Sequence, residues 1–143
     1  MATSSVPAVK AALVDTILPA RPGLSGVEVA WYTHKALSRE AVFLGEVEPV
    51  QRAAAIGGRS RNEEYDLEVV CHVRHPGPVA RDAEERAWAL VAEVEDACGD
   101  DPHLGLPGLV VRAQVARVEM NLYAGPREQV AEGTVYLKVE ARL

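Results

Sequence analysis

The segment A-A-A-I-G-G-R-S-R-N-E-E-Y-D-L-E-V-V places two arginines directly after two glycines, just before a strand-like pattern. Gly57 and Gly58 allow backbone conformations that other residues avoid, so they can act as a hinge. Arg59 and Arg61 carry planar guanidinium groups, which bind phosphates or carboxylates through paired hydrogen bonds. The pattern is therefore compatible with a phosphate-binding loop or with an arm that reaches a neighbouring protein subunit.

The residues around this loop disfavour a nucleotide site. A phosphate-binding loop of the common type ends in Gly-Lys-Ser or Gly-Lys-Thr and leads into a helix whose N-terminus holds the phosphate. Here the sequence reads G-G-R-S-R, and a strand pattern follows instead of a helix. We therefore expect an open loop with two arginines rather than a nucleotide site.

The histidines and cysteines do not have the spacing of a metal site. His72 and His75 are three residues apart in a strand pattern, so their side chains point to opposite faces. A metal site usually needs three or four ligands, and His34 and His103 fall in predicted loops. We expect surface histidines, no bound metal and no other cofactor. Cys71, in a strand, and Cys98, on a helix, are predicted to be buried reduced thiols.

The sequence contains no recognisable catalytic nucleophile. No serine lies in a G-x-S-x-G turn, and no cysteine has a base close by in sequence. Glu63 and Glu64 are adjacent at the start of a strand but are not obviously paired for catalysis, and we interpret them as part of a solvated face. No residue therefore stands out as a catalytic nucleophile, and these observations alone leave an enzyme possible.

Composition bounds the function further. The chain has 143 residues, 48% of them hydrophobic, which predicts a single domain over residues 1–143. Its formal net charge of -6 disfavours tight binding of nucleic acid, although it would let DNA pass nearby without adhering. No signal-peptide pattern is visible, and no apolar run reaches the ~20 residues that span a membrane. We expect a protein that is made in the cytoplasm and does not enter membranes.

Two segments have the periodicity of helices. The first is predicted over Val6–Leu18, with Ser4 or Ser5 as N-cap and Pro7 in the first turn. The second is predicted over Ala80–Gly99, with Gly99 as C-cap. Its apolar positions recur at helical spacing and define one buried stripe: Ala83, Ala87, Leu90, Val91, Val94, Ala97 and Cys98.

Five segments alternate like strands, over residues 26–33, 41–50, 62–74, 109–123 and 134–143. The resulting order is α-β-β-β-α-β-β. It predicts an α+β fold, with an antiparallel or mixed sheet and two helices packed on one face. A shift of the apolar register near Ala116 indicates a β-bulge. Val70 and Tyr136 are apolar residues on the otherwise charged face, which suggests that another copy of the chain covers part of the sheet.

The order of segments resembles a known family of assembly proteins. The phrases that carry the resemblance are V-P-A-V-K-A-A-L-V, E-A-V-F-L-G-E-V-E, the glycine–arginine loop with its strand, and A-E-E-R-A-W-A-L-V-A-E-V-E-D-A, followed by a strand hairpin. Together they are similar to the tail terminators, which are tail-completion (neck) proteins of long-tailed bacteriophages and related tail-like particles. The resemblance covers roughly residues 6–143.

This resemblance implies a structural role within a virion or tail-like particle. It implies no active site and no catalytic residues, so the protein would not be an enzyme. Tail terminators form a homo-oligomeric ring, commonly a hexamer, that caps the head-proximal end of the tail tube, ends tube polymerisation and joins the tail to the neck. The implied partners are further copies of the chain, the tail tube protein, in some particles the sheath, and head-side connector proteins. DNA would pass through the ring without specific binding. Gly57, Gly58, Arg59, Arg61 and Tyr136 would then belong to a subunit or tube interface.

Two other interpretations of the sequence remain open. A head–tail connector or head-closure protein would share the small size, the α+β content and the ring assembly. A small enzyme or ligand-binding domain would instead have a deep pocket with convergent polar groups. A large flat contact between copies would favour the structural interpretations.

Overall fold

The computed structural model of the chain describes residues 3–33, 37–53 and 60–143. It begins with helix α1, Val6–Ala11, which continues without a break as a π-helical segment, Ala12–Ile17. This continuous helical run confirms the predicted first helix, although its second half is wider than an α-helix. Ser5 lies at the N-cap but makes no side-chain cap bond. The Ser4 hydroxyl instead accepts a hydrogen bond from the amide of Val6, 3.1 Å away.

Six strands and a second helix follow. Their bounds are β1, Glu28–Ala30; β2, Glu40–Leu44; β3, Val50–Ala53; β4, Arg61–Pro76; α2, Ala80–Asp100; β5, Val110–Ala124; and β6, Glu128–Arg142. A single 3₁₀ turn, Pro22–Leu24, precedes β1.

The strands form one sheet in the order β1-β2-β4-β6-β5, and β3 pairs with β4 beyond the end of β2. The β1–β2 pair is parallel and all other pairs are antiparallel, so the sheet is mixed. The predicted α+β class is confirmed. The predicted order lacked one strand, because residues 41–50 form β2 and then a connection that leads into the short strand β3.

Both helices pack on one face of the sheet, as predicted, and bury its apolar side. We call this the covered face. On β4 it consists of every second residue, and all of them are buried as the alternation predicts: Tyr65, Leu67, Val69, Cys71 and Val73. The seven predicted stripe residues of α2 are buried as well. The apolar period of two residues in β4 and of 3.6 residues in α2 therefore identified the core residues of these elements correctly.

Ion pairs attach one side of α2 to the rest of the fold. Arg86 donates two hydrogen bonds to the carboxylate of Glu40 on β2, at 2.6 and 3.0 Å. Arg21, just before the 3₁₀ turn, binds Glu93 at 3.0 Å and Asp100 at 2.7 Å. These contacts orient α2 so that its opposite side faces β5.

The last turn of α2 differs from the prediction. Gly99 lies inside the helix, which ends at Asp100 with Asp101 as C-cap, so the predicted C-cap at Gly99 is wrong. The left-handed conformation that terminates such segments appears later, at Leu104 (φ 51°) and Gly105 (φ 70°). Chain reversal is thus made by the loop after the helix rather than by the glycine in its last turn.

The predicted bulge near Ala116 is confirmed. The pairing of β5 with β6 shifts between Val115 and Arg117, and a second shift lies between Val110 and Arg112. Because side chains alternate along a strand, each extra residue reverses the face that later side chains occupy. Beyond the shift at Ala116, Leu122 lies on the covered face and Tyr123 on the opposite face.

The C-terminal strand is longer than predicted and is held at its end. It begins at Glu128 rather than Thr134, and the amide of Leu143 donates to the carbonyl of Arg61 at 2.8 Å. Gly133 lies within it and allows close packing. A Cβ atom on Gly133 would stand 2.7 Å from Cγ2 of Val91 and 2.9 Å from Cε of Met120.

Substitution of Gly133 therefore tests how closely α2 packs on the sheet. We expect Gly133→Ala to lower the free energy of unfolding by about 1–3 kcal/mol, because the β-branched Val91 cannot move without disturbing the helix. Urea denaturation followed by circular dichroism measures the change.

Gly99→Ala is the matched control, since nothing lies within 4 Å of its added methyl group. It should raise the free energy of unfolding by about 0.5–1 kcal/mol through helix propensity. Equal effects of the two substitutions would contradict the packing argument.

Candidate functional site

The structure separates the predicted interface residues that it describes. Gly57, Gly58 and Arg59 lie outside the described residues. Arg61 lies at the start of β4, on the covered face, whereas Tyr136 lies on the opposite face of β6. Tyr136 is paired with Glu68, seven residues along β4 from Arg61, which corresponds to about 23 Å. Arg61 and Tyr136 therefore do not form one site.

The side chain of Arg61 is used within its own chain. Its Nη1 donates a hydrogen bond to Oε1 of Gln51 on β3, at 2.9 Å. Nε2 of the same Gln51 donates to the Glu63 carboxylate at 2.6 Å and to the carbonyl of Thr3 at 2.7 Å. Arg61 is thus the outer member of a polar network that connects β3, β4 and the N-terminal segment.

Glu63 is the centre of that network, and it is completely buried. The prediction of a solvated Glu63 was wrong, whereas its neighbour Glu64 is exposed as predicted. The Glu63 carboxylate accepts hydrogen bonds from the amide of Ser5 at 2.8 Å and from the Ser5 hydroxyl. The hydroxyl of Tyr65 lies 3.0 Å from that of Ser5. The start of α1 is therefore held against β4 through one carboxylate.

The hydrogen bonds of Glu63 keep its carboxylate ionised. Burial opposes ionisation, but the bonds from Ser5 and Gln51 outweigh that effect and place the pKa of Glu63 below its ordinary value. Burial raises the pKa of Tyr65, beside this carboxylate, to about 12. The network is a structural anchor, because one carboxylate on β4 holds both Ser5, at the start of α1, and Gln51 of β3.

Tyr136 belongs to a second polar cluster, on the face of the sheet opposite the helices, which we call the open face. Its hydroxyl donates to Oε2 of Glu119 on β5 at 3.1 Å, and Arg117 pairs with the same carboxylate. The guanidinium carbon of Arg117 lies 3.9 Å from the centre of the Tyr136 ring, which is a cation–π contact. Desolvation and the hydrogen bond to Glu119 raise the pKa of Tyr136.

The rest of the open face is polar and has no helix on it in the described part of the chain. On β4 it presents Glu64 and Asp66, which are exposed, and the partly buried Glu68. Val70, the apolar exception in the sequence pattern, is buried and paired with Phe43 of β2. Val70 is therefore part of a small apolar region within its own chain, and it does not by itself indicate a second copy.

The histidines and cysteines are dispersed. His72 lies 3.8 Å from Glu132, and a ring nitrogen of His75 lies 3.0 Å from the carbonyl of Pro76. Within residues 3–33, 37–53 and 60–143, no three metal-ligating side chains come together. Cys71 and Cys98 are free and buried, as predicted. Burial raises the pKa of Cys71 to about 12 and that of Cys98 to about 11, so neither thiol is reactive at neutral pH.

Exposed apolar side chains are concentrated at the two edges of the sheet. Trp31 and Tyr32 follow β1 directly and are 45% and 49% exposed. At the other edge, Leu122 and Tyr123 of β5 are 47% and 54% exposed. The strand predicted over residues 26–33 would include both aromatic residues. β1 ends at Ala30, however, so the aromatic pair lies in a bend at the surface.

A cleft of about 450 Å³ lies beside the β5 edge, between the C-terminal half of α2 and the start of β5. Cys98, Ala113 and Val115 provide its apolar lining, and Glu95 and Arg112 are among its polar residues. It belongs to the same edge as the exposed apolar side chains of β5. No helix in the described residues is long and apolar enough to cross a membrane.

The fold has a counterpart among solved structures. A chain in the virion of a native gene transfer agent particle superimposes on this protein with a TM-score of 0.56 and 21% sequence identity. The match covers 92% of this chain and 91% of that chain. At this identity the likeness shows a shared fold over nearly the whole length of both chains. No protein-family model and no curated protein matches the sequence.

The Glu63 anchor leads to a pH-dependent prediction. Glu63→Gln replaces an acceptor oxygen by an amide that faces donors from Ser5 and Gln51, so we expect a loss of about 1–3 kcal/mol in the free energy of unfolding at pH 7. Because the folded pKa of Glu63 is lowered, its stabilising effect is complete above the ordinary glutamate pKa of about 4.3 and is lost as the pH falls through the folded value.

The measurement is urea unfolding of wild type and variant from pH 8 to pH 3. The stability difference should be constant between pH 6 and pH 8 and should shrink below about pH 4.3. Glu64→Gln, which changes the adjacent exposed carboxylate, should show neither effect. A pH-independent difference for Glu63→Gln would mean that the carboxylate charge does not matter.

Proposed function

We propose that this chain is a structural subunit of a phage-like particle and that it forms the ring which caps the head-proximal end of the tail tube. The observation that carries the proposal is the fold likeness to a chain of the gene transfer agent virion, which extends over 92% and 91% of the two chains. A match of this extent involves the whole domain rather than a common supersecondary motif. That the chain is a subunit of a phage-like particle is the more general part of the proposal.

The finer part, the tail-terminator role, is supported by the residue phrases that resemble that family. It is also consistent with the distribution of exposed apolar side chains, which lie at the sheet edges where a neighbouring chain could continue the contact. In this role the ring would end tube polymerisation and join the tail to the neck. DNA would pass through it without specific binding, as the net charge of -6 favours.

The loop that contains Gly57, Gly58 and Arg59 remains a candidate contact with a neighbouring subunit or with the tube. Arg61 is a weaker candidate, because its guanidinium already binds Gln51. Tyr136 contacts Arg117 and Glu119 on the open face and could take part in an interface only together with them.

The test is native mass spectrometry of the purified 15.4 kDa chain, alone and mixed with the tube protein of the same gene cluster. Negative-stain microscopy of the mixture locates the rings. We expect six copies in one ring and rings at one end of each tube. Tubes assembled in the presence of the chain should be shorter than tubes assembled without it.

The alternatives predict different results. Rings of another copy number that ignore the tube protein would indicate a head–tail connector or head-closure protein. A chain that stays monomeric, both alone and with tubes, would contradict the structural role and would favour a small binding domain or enzyme.

A further inference from the structure

The edge formed by β5 is long and open. β5 has 15 residues and is the last strand in the order, so among the described residues it pairs as a strand with β6 only. At its start, the amides of Val110 and Ala113 donate to the carbonyls of Leu106 and Pro102. Further along the strand, the main-chain groups on the outer side have no main-chain partner in the described part of the chain and are left to water or to another chain. A long edge strand of this kind is prone to pair with other strands unless something protects it.

Apolar side chains continue along this edge on the covered face. Val118 and Met120 are partly buried against the core, and Leu122 beyond them is 47% exposed. Trp88 of α2 is 43% exposed. Helical spacing places Trp88 on the same side of α2 as Cys98, and Cys98 lines the cleft beside β5. Arg86, which binds Glu40 of β2, lies on the other side of the helix. Trp88 therefore adds to the apolar surface of the β5 edge.

The opposite edge has a similar character. It consists of β1 and β3, which among the described residues pair only with β2 and β4, respectively. The connection at residues 45–49 lies between them. Trp31 and Tyr32 follow β1, and Val50 of β3 is 54% exposed. In the described part of the chain, eight large apolar side chains are exposed, and all but Val79 belong to one of these two edges.

The two edges cannot meet within one chain. Four strand spacings separate β1 from β5, which corresponds to about 19 Å. We propose that copies of this chain join head to tail, with the β5 edge of one copy against the β1–β3 edge of the next. This inference rests on the proposed ring function and identifies the surfaces that would form the ring. A contact between two different surfaces is the type that generates rings.

Charges of opposite sign lie along the two edges, although Arg52 adds one exposed cation to the β1–β3 edge. The β2–β3 connection presents Glu46 and Glu48, which are exposed and form no ion pair among the described residues. The β5 edge presents Arg112 and Arg117, whose side chains are 52% and 60% exposed although each contacts a carboxylate of its own sheet. Opposite charges at the rim of an interface select the partner and its orientation more than they raise affinity.

A two-fold contact between two β5 edges is the competing arrangement. It would satisfy the open main chain of β5, but it would leave Trp31, Tyr32 and Val50 in water and would bring Arg112 and Arg117 of both copies to the same seam. The head-to-tail contact covers both apolar edges at once and places carboxylates opposite guanidinium groups. These two differences favour the head-to-tail arrangement.

The experiment uses two variants that each disable one edge, Trp31→Glu and Leu122→Glu. Both residues are about half exposed, so the changes should leave the fold intact, and circular dichroism with thermal melting verifies this. Native mass spectrometry should find each variant alone as a monomer. An equimolar mixture should form a heterodimer that does not grow further, because one intact β5 edge meets one intact β1–β3 edge.

Val79→Glu is the matched control, since Val79 is 48% exposed and lies at neither edge. It should assemble like wild type. The milder variants Trp31→Ser and Leu122→Ser should raise the protein concentration needed for half-maximal assembly at least tenfold. They replace the glutamate variants if either of those fails to fold.

Three outcomes would overturn the proposal. If both glutamate variants form the wild-type ring, the edges are not the interface, although the ring function would stand. If Leu122→Glu is monomeric while Trp31→Glu still pairs, the contact is two-fold through β5. If wild type itself never assembles, alone or with tube protein, the ring function fails together with the interface.

Discussion

The antiparallel ladder between β4 and β6 is the constraint on which the rest of the structure depends. It pairs 15 residues of β4 with 15 of β6, from Asn62 opposite Arg142 to Pro76 opposite Glu128. Its ends are held by the main-chain bonds between Arg61 and Leu143 and by the bond from the amide of Gly77 to the carbonyl of Arg127. A slip of one residue would turn every apolar side chain of a strand to the solvent. The covered face, the Glu63 anchor and the Tyr136 cluster all depend on this register.

The Glu63 anchor shows how the fold accommodates a buried charge. An isolated carboxylate in the core would be strongly destabilising, but three donors from Ser5 and Gln51 surround this one. Those donors belong to the N-terminal segment and to β3, a short strand that is mostly exposed. The polar contact fixes the start of α1 on β4, and apolar packing holds the helical run that follows, because Val9 and Leu13 are fully buried in the core. Removing one partner would leave the others unsatisfied, which makes the network more important than a surface ion pair.

The sequence predicted those parts of the fold that depend on periodicity. The alternation in β4 and the stripe of α2 identified their buried residues, because a long regular element leaves a clear pattern. The bounds of the short strands could not be predicted in this way. β1 has three residues and β3 has four, and their pairing with β2 and β4, rather than local preference, makes them strands. The burial of Glu63 could not be predicted either, since its donors lie 12 and 58 residues away along the chain. The alternation itself contained a signal, because Glu63 shares the parity of Tyr65 and Leu67.

The candidate site was harder to predict than the fold, for a related reason. In the sequence, the residues of one chemical type that lie closest to a hinge-like segment are Arg59 and Arg61, and they were the predicted site. The structure instead indicates that the candidate contact surfaces are the two edges of the sheet. Which strands form the edges depends on the order of strands in the sheet, and a local sequence pattern does not contain that order. Trp31 and Leu122 are ordinary apolar residues in the sequence. They become candidates only because β1 ends one residue before Trp31 and because the register shifts of β5 place Leu122 beside the open edge.

The same reasoning explains why ring size cannot be predicted from any single residue. Six copies in a ring require a rotation of about 60° between neighbours, and a head-to-tail contact closes only at the matching angle. Adjacent strands are rotated by roughly 20–25°, so the four steps from β1 to β5 accumulate about 80–100° of twist. The two edges of one copy are therefore far from parallel, and the bulges at Val111 and Ala116 bend the β5 edge further. Copy number would follow from this angle between edges, so a change in a bulge of β5 could alter the number of subunits without touching an apolar contact.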